Sequence, residues 1–155
     1  MENLISFILI FCLVRVTVQL NLSEDLECGP GQTYNTSASA YYPDYQSAHP
    51  RDFVDEKGKK LRSLQEYLDM RSTYVTVSMD ASLGIPYATP LCIPELNAHY
   101  GRYVNLEVRD TNPDIFGCGY GCVEIAVRTE ADSYDRILNK ELTLVLIEVE
   151  DFDDL

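Results

Sequence analysis

The chain has 155 residues and a hydrophobic fraction of 46%, which suffices for one domain with a sizeable core and is too little for two. Its formal net charge is −13. A chain with this charge repels phosphate backbones and anionic lipid headgroups, so composition argues against nucleic acids and membrane surfaces as partners. The last residues, 149–155, form an acidic tail that we predict to be solvated and disordered.

An apolar run near the N-terminus is typical of a secretory signal. It extends from Leu4 to Leu13, interrupted only by Ser6, and residues 16–19 offer positions for cleavage. The run is too short to span a bilayer, although Arg15 and the lack of a basic start are atypical of a signal. We predict a signal peptide at residues 1–19 and a secreted, soluble mature protein that makes no contact with membranes.

Secretion would place the cysteines in an oxidising compartment, where thiols pair as disulfides. Cys12 leaves with the signal, and the four that remain allow three pairings. Because Cys118 and Cys122 flank a short glycine-rich loop, we favour a bond between them and a second bond between Cys28 and Cys92. The alternative is a metal site, but one C-x3-C segment without a second pair or nearby histidines is a weak zinc signal.

Two asparagines match the Asn-x-Ser/Thr acceptor pattern for N-glycosylation, a short pattern that is often unused. They are Asn21, followed by Ser23, and Asn35, followed by Ser37. For a eukaryotic host, Asn35 is the better candidate, because we expect it to precede a strand in a polar loop.

One short helix is indicated in the first half of the mature chain. Leu61, Leu64 and Leu68 recur at helical spacing, and Ser63 with Glu66 three residues later forms a capping box. We therefore predict a helix from Ser63 to about residue 71, packed on the domain through its leucines.

The rest of the mature chain consists of short apolar segments separated by turns. This pattern favours a mainly β fold with helical inserts, closed as a small barrel in preference to a helix-layered sheet. We assign residues 20–37 to an N-terminal lead-in and residues 38–148 to the barrel domain. The predicted strands are 36–43, 74–79, 91–94, 103–108, 123–127 and 142–147, and further helical segments are predicted at 95–100 and 132–138.

Three acidic residues, Asp80, Asp110 and Glu124, each lie at the edge of a predicted buried strand. An ionised acid among apolar residues is costly unless it is paired, so the repetition suggests that the three converge on one place. Taken singly, each aspartate is more often a turn residue. Glu124 fits that alternative poorly, because alternation puts Val123 and Ile125 on one face and turns Glu124 towards solvent or a cleft.

The succession of short motifs between residues 39 and 147 resembles the bacterial secreted proteins that carry the three-aspartate (3D) domain. No single motif is specific, but their number and order make chance agreement improbable. The motifs are Ala40-Tyr41-Tyr42-Pro43, Phe53-Val54-Asp55, Lys57-Gly58-Lys59, Leu61 to Leu68, Val75 to Asp80, Ile85 to Leu91, Ile93 to Leu96, Tyr100-Gly101-Arg102, Asp110-Thr111, Phe116 to Gly119 and the run that ends at Glu124.

This resemblance implies a six-stranded double-psi β-barrel with the three acids clustered in a groove on one face. Related barrels include the MltA-type lytic transglycosylases, wall-remodelling proteins and, more distantly, expansins and some cellulases, all of which act on or bind polysaccharide. In the lytic enzymes an aspartate protonates the glycosidic oxygen and then takes the proton of the muramic acid 6-hydroxyl, giving a 1,6-anhydro product. Glu124 stands at the matching position, and Asp110 and Asp80 match the other two acids.

The chain departs from the family pattern at this candidate site. Glu124 stands where the family has aspartate, and Asn112-Pro113 stand where it has two glycines, which stiffens the loop. The extra methylene of a glutamate can shift the carboxyl by more than the roughly 1 Å that costs about a hundredfold in rate. We nevertheless expect Asp80, Asp110 and Glu124 to be the catalytic residues if the protein is an enzyme, with Thr111, Asn112 and Tyr87 in contact with the substrate.

Two functions are compatible with the resemblance. The protein is either a lytic transglycosylase or glycosidase that acts on peptidoglycan or a related glycan, or a glycan-binding module or secreted effector without turnover. A purely structural extracellular protein is a third and weaker alternative. We expect a polysaccharide partner and a monomer.

We expect no cofactor and no metal. Clustered acids are also typical of calcium sites, but the spacing here lacks the D-x-D-x-D-G pattern of a calcium loop. Like charges in one groove raise carboxyl pKa values. We predict that Glu124 is the acid that keeps its proton, because it lies on an apolar strand whereas Asp80 and Asp110 adjoin turns with backbone donors.

Overall fold

The computed structural model describes residues 26–148. The predicted signal peptide, Asn21 and the acidic tail lie outside this range. Among the described residues, no helix has the length and apolar character needed to cross a membrane.

Six strands close into a barrel with a mixed sheet. Around the barrel the strands follow the order β1-β5-β2-β4-β3-β6, and β6 returns to β1. The β1–β5 and β2–β4 pairs are parallel and the other four pairs are antiparallel. The strands are β1 (Gly31–Tyr41), β2 (Val75–Met79), β3 (Thr89–Cys92), β4 (Leu106–Thr111), β5 (Cys122–Ala126) and β6 (Lys140–Ile147). The predicted mainly β, six-stranded barrel is confirmed, and its mixed pairing is compatible with a double-psi arrangement.

The first strand starts earlier than the sequence indicates. Residues 31–38 pair with β6 in antiparallel register, so part of the predicted lead-in belongs to the barrel. Asn35 lies within this strand and is exposed, whereas we expected it in a loop before a strand. Glycine is required at position 31 because the backbone of β6 lies so close that a Cβ there would be 2.1 Å from the Leu146 carbonyl oxygen.

Three short α-helices are present in the described range: α1 (Leu64–Leu68), α2 (Pro94–Tyr100) and α3 (Glu130–Ser133). Four single-turn 3-10 helices accompany them in the same range, at Pro50–Asp52, Ala81–Leu83, Pro113–Ile115 and Gly119–Gly121. The predicted capping box of α1 is confirmed, since the Glu66 N–H donates to Ser63 Oγ and the Ser63 N–H donates to Glu66 Oε2. The helix ends at Leu68, because Met70 adopts φ 60°, which breaks a right-handed helix.

The last helix begins two residues before the predicted segment 132–138 and covers only its first two residues. Thr129 is its N-cap and forms a capping box with Asp132, so α3 begins at Glu130 and ends at Ser133. Asp135 then forms a turn in which its carboxylate accepts from the Ile137 N–H at 3.0 Å. Local side-chain hydrogen bonds of this kind compete with a continuing helix.

The core fills the barrel interior with one face of each strand. On β2 and β4 the inward residues include Val77 and Leu106, and on β5 they include Val123 and Ile125, all fully buried. Burying such side chains contributes about 1.5–3 kcal/mol each. The alternate residues of these strands face away from the core, and they form the site described below.

The two predicted disulfides are present. Cys28 bonds Cys92 and so ties the segment before β1 to the end of β3, and Cys118 bonds Cys122 within the loop between β4 and β5. The Cα–Cα distances of 5.6 and 5.7 Å are ordinary for such bonds. Two disulfides in a small domain are typical of an oxidising compartment.

Candidate functional site

Three neighbouring strands place a serine between two carboxyl groups. On β2 the side chains of Val77 and Met79 belong to the core, so Ser78 between them points to the other face of the sheet. Ser78 lies opposite Glu124 of β5 on one side and opposite Asp110 of β4 on the other. The row Glu124, Ser78, Asp110 therefore crosses three adjacent strands at one level.

A β-bulge brings Asp110 into this row. Val77 pairs with Val108, but the next residue of β2, Ser78, pairs with Asp110, which leaves Arg109 as the extra residue. In a regular ladder Ser78 would face Arg109, and Asp110 would fall on the other face of the strand. The bulge is thus the reason that two acids from different strands share one side of the sheet.

Three further residues hold the two carboxyl groups in place. Tyr41, at the end of β1, reaches across the sheet and donates its hydroxyl to Asp110 Oδ2 at 3.2 Å. The Thr111 N–H donates to Asp110 Oδ1 at 2.9 Å. The side-chain amide of Asn112 donates to Glu124 Oε2 at 2.9 Å. Both oxygens of Asp110 and one oxygen of Glu124 are therefore occupied.

Burial favours the protonated form of both acids. It raises the pKa of Asp110 to about 6, although the Thr111 N–H and the Tyr41 hydroxyl act to lower the pKa. Burial also raises the pKa of Glu124, against the lowering effect of the Asn112 amide. The expectation for Glu124 agrees in direction. We predicted that Glu124, and not Asp110, would keep its proton; the raised pKa of Asp110 was not expected, and it arises because burial outweighs the Thr111 N–H, the one backbone donor among the described residues that reaches this carboxyl.

The row lies in a cavity of about 790 Å³, which we call the groove. One side is the sheet, and the other is the segment between β1 and α1. The lining is rich in carboxyl and aromatic groups and contains one guanidinium. Its residues are Tyr41, Tyr42, Asp44, His49, Pro50, Arg51, Asp52, Ser78, Asp110, Thr111, Asn112, Pro113 and Glu124. Four predicted site residues, namely Glu124, Asp110, Thr111 and Asn112, are thus brought together.

Asp80 lies outside the groove. It lines a second, smaller cavity of about 240 Å³, which shares Arg51 and Thr111 with the groove. Its carboxylate accepts from the Ser82 N–H at 2.8 Å and from the Gly119 N–H at 2.7 Å. Burial acts to raise its pKa, but these backbone donors outweigh burial and lower the pKa to about 2. The structure therefore gives Asp80 the contacts of a turn-forming and loop-anchoring residue.

Tyr87 also lines the second cavity, with its hydroxyl already engaged. The hydroxyl donates to Asp55 Oδ2 at 2.6 Å and accepts from Arg109 Nη1 at 2.9 Å. The Lys57 ammonium lies 4.1 Å from the centre of the ring. These contacts tie the turn at residues 55–58 to β4, and Tyr87 is not among the residues that line the groove.

Sequence reasoning gave no role to several groove residues. Tyr41 and Tyr42 belong to the first motif of the resemblance, but nothing local indicates that the Tyr41 hydroxyl reaches Asp110 three strands away. Ser78 carried no signal, because a serine within an apolar run has no distinguishing pattern. Arg51 and His49 come from a polar segment whose packing depends on the whole fold.

Comparison with known proteins adds no family assignment. No protein-family model matches this chain, and no curated protein matches it. Within residues 26–148 there is also no group of three or more His, Cys, Asp or Glu side chains placed to hold a metal ion.

Proposed function

We propose that this protein is a secreted member of the 3D-like double-psi barrels that binds a polysaccharide in the groove and cleaves it as a lytic transglycosylase or glycosidase. One observation carries the proposal: Asp110 and Glu124 lie in a single row on the groove floor, and both have raised pKa values. Glycosidic cleavage requires one protonated carboxyl as the acid and a second carboxyl that is ionised, and a neighbouring pair with raised pKa values can supply the protonated one near neutral pH.

Glu124 is the better proton donor of the pair. No described residue hydrogen-bonds its Oε1, whereas both oxygens of Asp110 have protein partners. Protonated Glu124 would give its proton to the glycosidic oxygen as the bond from the anomeric carbon to that oxygen breaks. The resulting carboxylate would accept the proton of the attacking hydroxyl, either the 6-hydroxyl of the sugar or water. The protein then returns to its starting state.

Asp110 would act electrostatically in this scheme. Because its pKa is about 6, the carboxyl is mostly ionised at neutral pH. A carboxylate on the groove floor stabilises the positive charge that develops on the sugar as the glycosidic bond breaks. Tyr41 keeps this carboxylate in position through its hydroxyl.

The groove walls support a sugar ligand. Tyr42 is 39% exposed and lines the groove, so its ring is available for stacking on the apolar face of a pyranose. Two disulfides agree with a protein made for an oxidising compartment, which supports secretion.

A glycan-binding module without turnover is the second candidate. It is favoured by the hydrogen bonds that already occupy three of the four carboxyl oxygens, because a held carboxylate transfers protons less readily. In this case the groove binds the polysaccharide without cleaving it, and the two carboxylates accept hydrogen bonds from sugar hydroxyls.

The deciding experiment incubates the purified mature protein with peptidoglycan and with N-acetylglucosamine oligomers, followed by mass spectrometry for 1,6-anhydro and reducing ends. We expect cleavage by the wild type and a loss of about a hundredfold or more in Glu124→Gln, with binding retained. Glu141→Gln, which changes an exposed acid on β6 outside the groove, is the matched control. Binding without cleavage would select the binding module, and the absence of any glycan binding would refute both candidates.

A further inference from the structure

The groove floor offers several hydrogen-bond acceptors, and its one buried side-chain group without a partner in the described residues is a hydroxyl, which can both accept and donate. Ser78 is fully buried, lines the groove, and its hydroxyl has no hydrogen-bond partner among residues 26–148. The hydroxyl lies close enough to Glu124 to lower the pKa of that carboxyl, yet it forms no hydrogen bond of ordinary geometry. The neighbouring donors already make hydrogen bonds, because the Tyr41 hydroxyl donates to Asp110 and the Asn112 amide donates to Glu124.

An unpartnered buried hydroxyl is costly, typically about 1–3 kcal/mol. Ser78 pairs in the ladder with both acids, and neighbouring strands of a sheet lie about 4.7–4.9 Å apart, so both acids are next to Ser78. One small donor group placed above Ser78 can therefore contact its hydroxyl, Glu124 Oε1 and the Asp110 carboxylate together. This arrangement indicates a ligand that brings several donors on a single atom.

The charges around the row favour a positive ligand. Asp44 and Asp52 line the groove with the two acids, against one guanidinium, that of Arg51. Outside the lining, Asp114 acts to raise the pKa of Glu124, and Asp55 acts to raise the pKa of Asp110. A ligand that carries carboxylates would add like charge to this site and meet repulsion.

We propose that the groove selects an amino-sugar polymer with free, protonated amino groups. A primary ammonium is a compact charge with three donors and no acceptor, which matches the acceptors around Ser78. An N-acetylated sugar offers one N–H donor and no charge at the same position, and a uronic acid polymer offers the wrong charge. This inference rests on the proposed glycan function and specifies its substrate class.

The test compares three oligosaccharides of equal length by isothermal titration calorimetry near pH 6.5 in about 0.15 M salt, where exposed charges are largely screened. They are a glucosamine oligomer, an N-acetylglucosamine oligomer and a galacturonic acid oligomer. We expect the glucosamine oligomer to bind at least about tenfold more tightly than the acetylated one, and the galacturonic acid oligomer not to bind.

Variants distinguish binding by the row Glu124, Ser78 and Asp110 from attraction by the overall charge of −13. Glu124→Gln is expected to lose most of the preference for the glucosamine oligomer, and Glu141→Gln, which removes the same charge outside the groove, is expected to keep it. Ser78→Ala should weaken glucosamine binding several-fold without lowering the melting temperature, because it deletes a hydroxyl that no protein group uses. A serine needed only for structure would instead lower the melting temperature.

The outcomes discriminate between the two proposals. Equal affinity for the glucosamine and acetylated oligomers overturns the preference for ammonium and leaves the glycan function standing. A preference that survives in both Glu124→Gln and Ser78→Ala also overturns it, since bulk charge would then explain the binding. No binding of any of the three oligomers overturns this inference, and the glycan function itself then stands or falls with the peptidoglycan assay described above.

Discussion

Asp80 accepts a hydrogen bond at 2.7 Å from the backbone N–H of Gly119, a residue that lies far from it along the chain. The contact joins the end of β2 to the disulfide-closed loop before β5. That loop follows Asn112, whose amide holds Glu124, so Asp80 supports the groove from outside it. Its own hydrogen bonds with Gly119 and Ser82 indicate a role in stability.

Replacing Asp80 with Asn is expected to destabilise the fold in a pH-dependent manner. The pKa of Asp80 is lowered from an ordinary 3.8 to about 2 by its backbone donors. The stabilisation by the ionised form is thus complete above about pH 4 and disappears as pH falls through 2. Melting curves between pH 6 and pH 2 should show a lower melting temperature for Asp80→Asn at pH 6 and a shrinking difference towards pH 2. A difference that is constant over this range contradicts the prediction.

Asp110→Asn should show the opposite pH dependence. Since burial raises the pKa of Asp110 from 3.8 to about 6, the ionised form is disfavoured in the folded state. Stability is therefore lost as pH rises from about 4 through 6, and an amide avoids that loss. We expect Asp110→Asn to be more stable than the wild type at pH 8, by on the order of 1–3 kcal/mol in urea unfolding, and equal to it below pH 4. Lower stability at pH 8 would show that the ionised carboxylate is needed for folding.

The two disulfides should contribute unequally to stability. Cys28 and Cys92 are separated by 64 residues and Cys118 and Cys122 by 4, so the first bond constrains the unfolded chain more. Chain-entropy reasoning gives about 4 kcal/mol for the first bond and about 2 kcal/mol for the second. Paired Cys→Ser variants compared by denaturant unfolding check this ranking. If removal of the Cys118–Cys122 bond proves more destabilising, that bond stabilises the folded state through the Asp80–Gly119 contact by more than the chain-entropy difference between the two bonds.

Tyr87→Phe distinguishes a structural residue from a substrate contact. The change removes a hydrogen bond to the buried carboxylate of Asp55 and one from Arg109, so we expect a loss of about 1–3 kcal/mol in stability and unchanged glycan affinity. Tyr103→Phe is the matched control, because its hydroxyl has no hydrogen-bond partner among residues 26–148. Loss of glycan binding with unchanged stability would instead support the substrate contact expected from the sequence.

Features that depend on neighbouring residues could be predicted from the sequence. The capping box of Ser63 and Glu66 is one, since four residues define it. The short disulfide loop is another, and strand alternation correctly turned Glu124 away from the core. The early start of β1 was missed, because its polar outer face hides the strand pattern.

The groove itself depends on relations between strands. Asp110 joins Glu124 only because a bulge shifts the β2–β4 register after Val77, and no local pattern reports such a shift. The separation of Asp80 from the pair follows from the turn after β2, in which the Asp80 side chain is the cap. The raised pKa of Asp110 depends on burial under a segment that lies far away in sequence.

The pairing of β1 fixes the order in which the domain can be completed. Of the described strands, this one pairs in the sheet only with β5 and β6, which follow the other four strands in the chain, so it has no strand partner until residues 122–147 have been synthesised. Contacts between such distant segments slow folding, because a long loop must close before they form. A nascent or truncated chain that ends before β5 carries β1 as an unpaired strand, open to pairing with other chains. For the secretion that we propose, a chain exported ahead of barrel closure would therefore need no unfolding step.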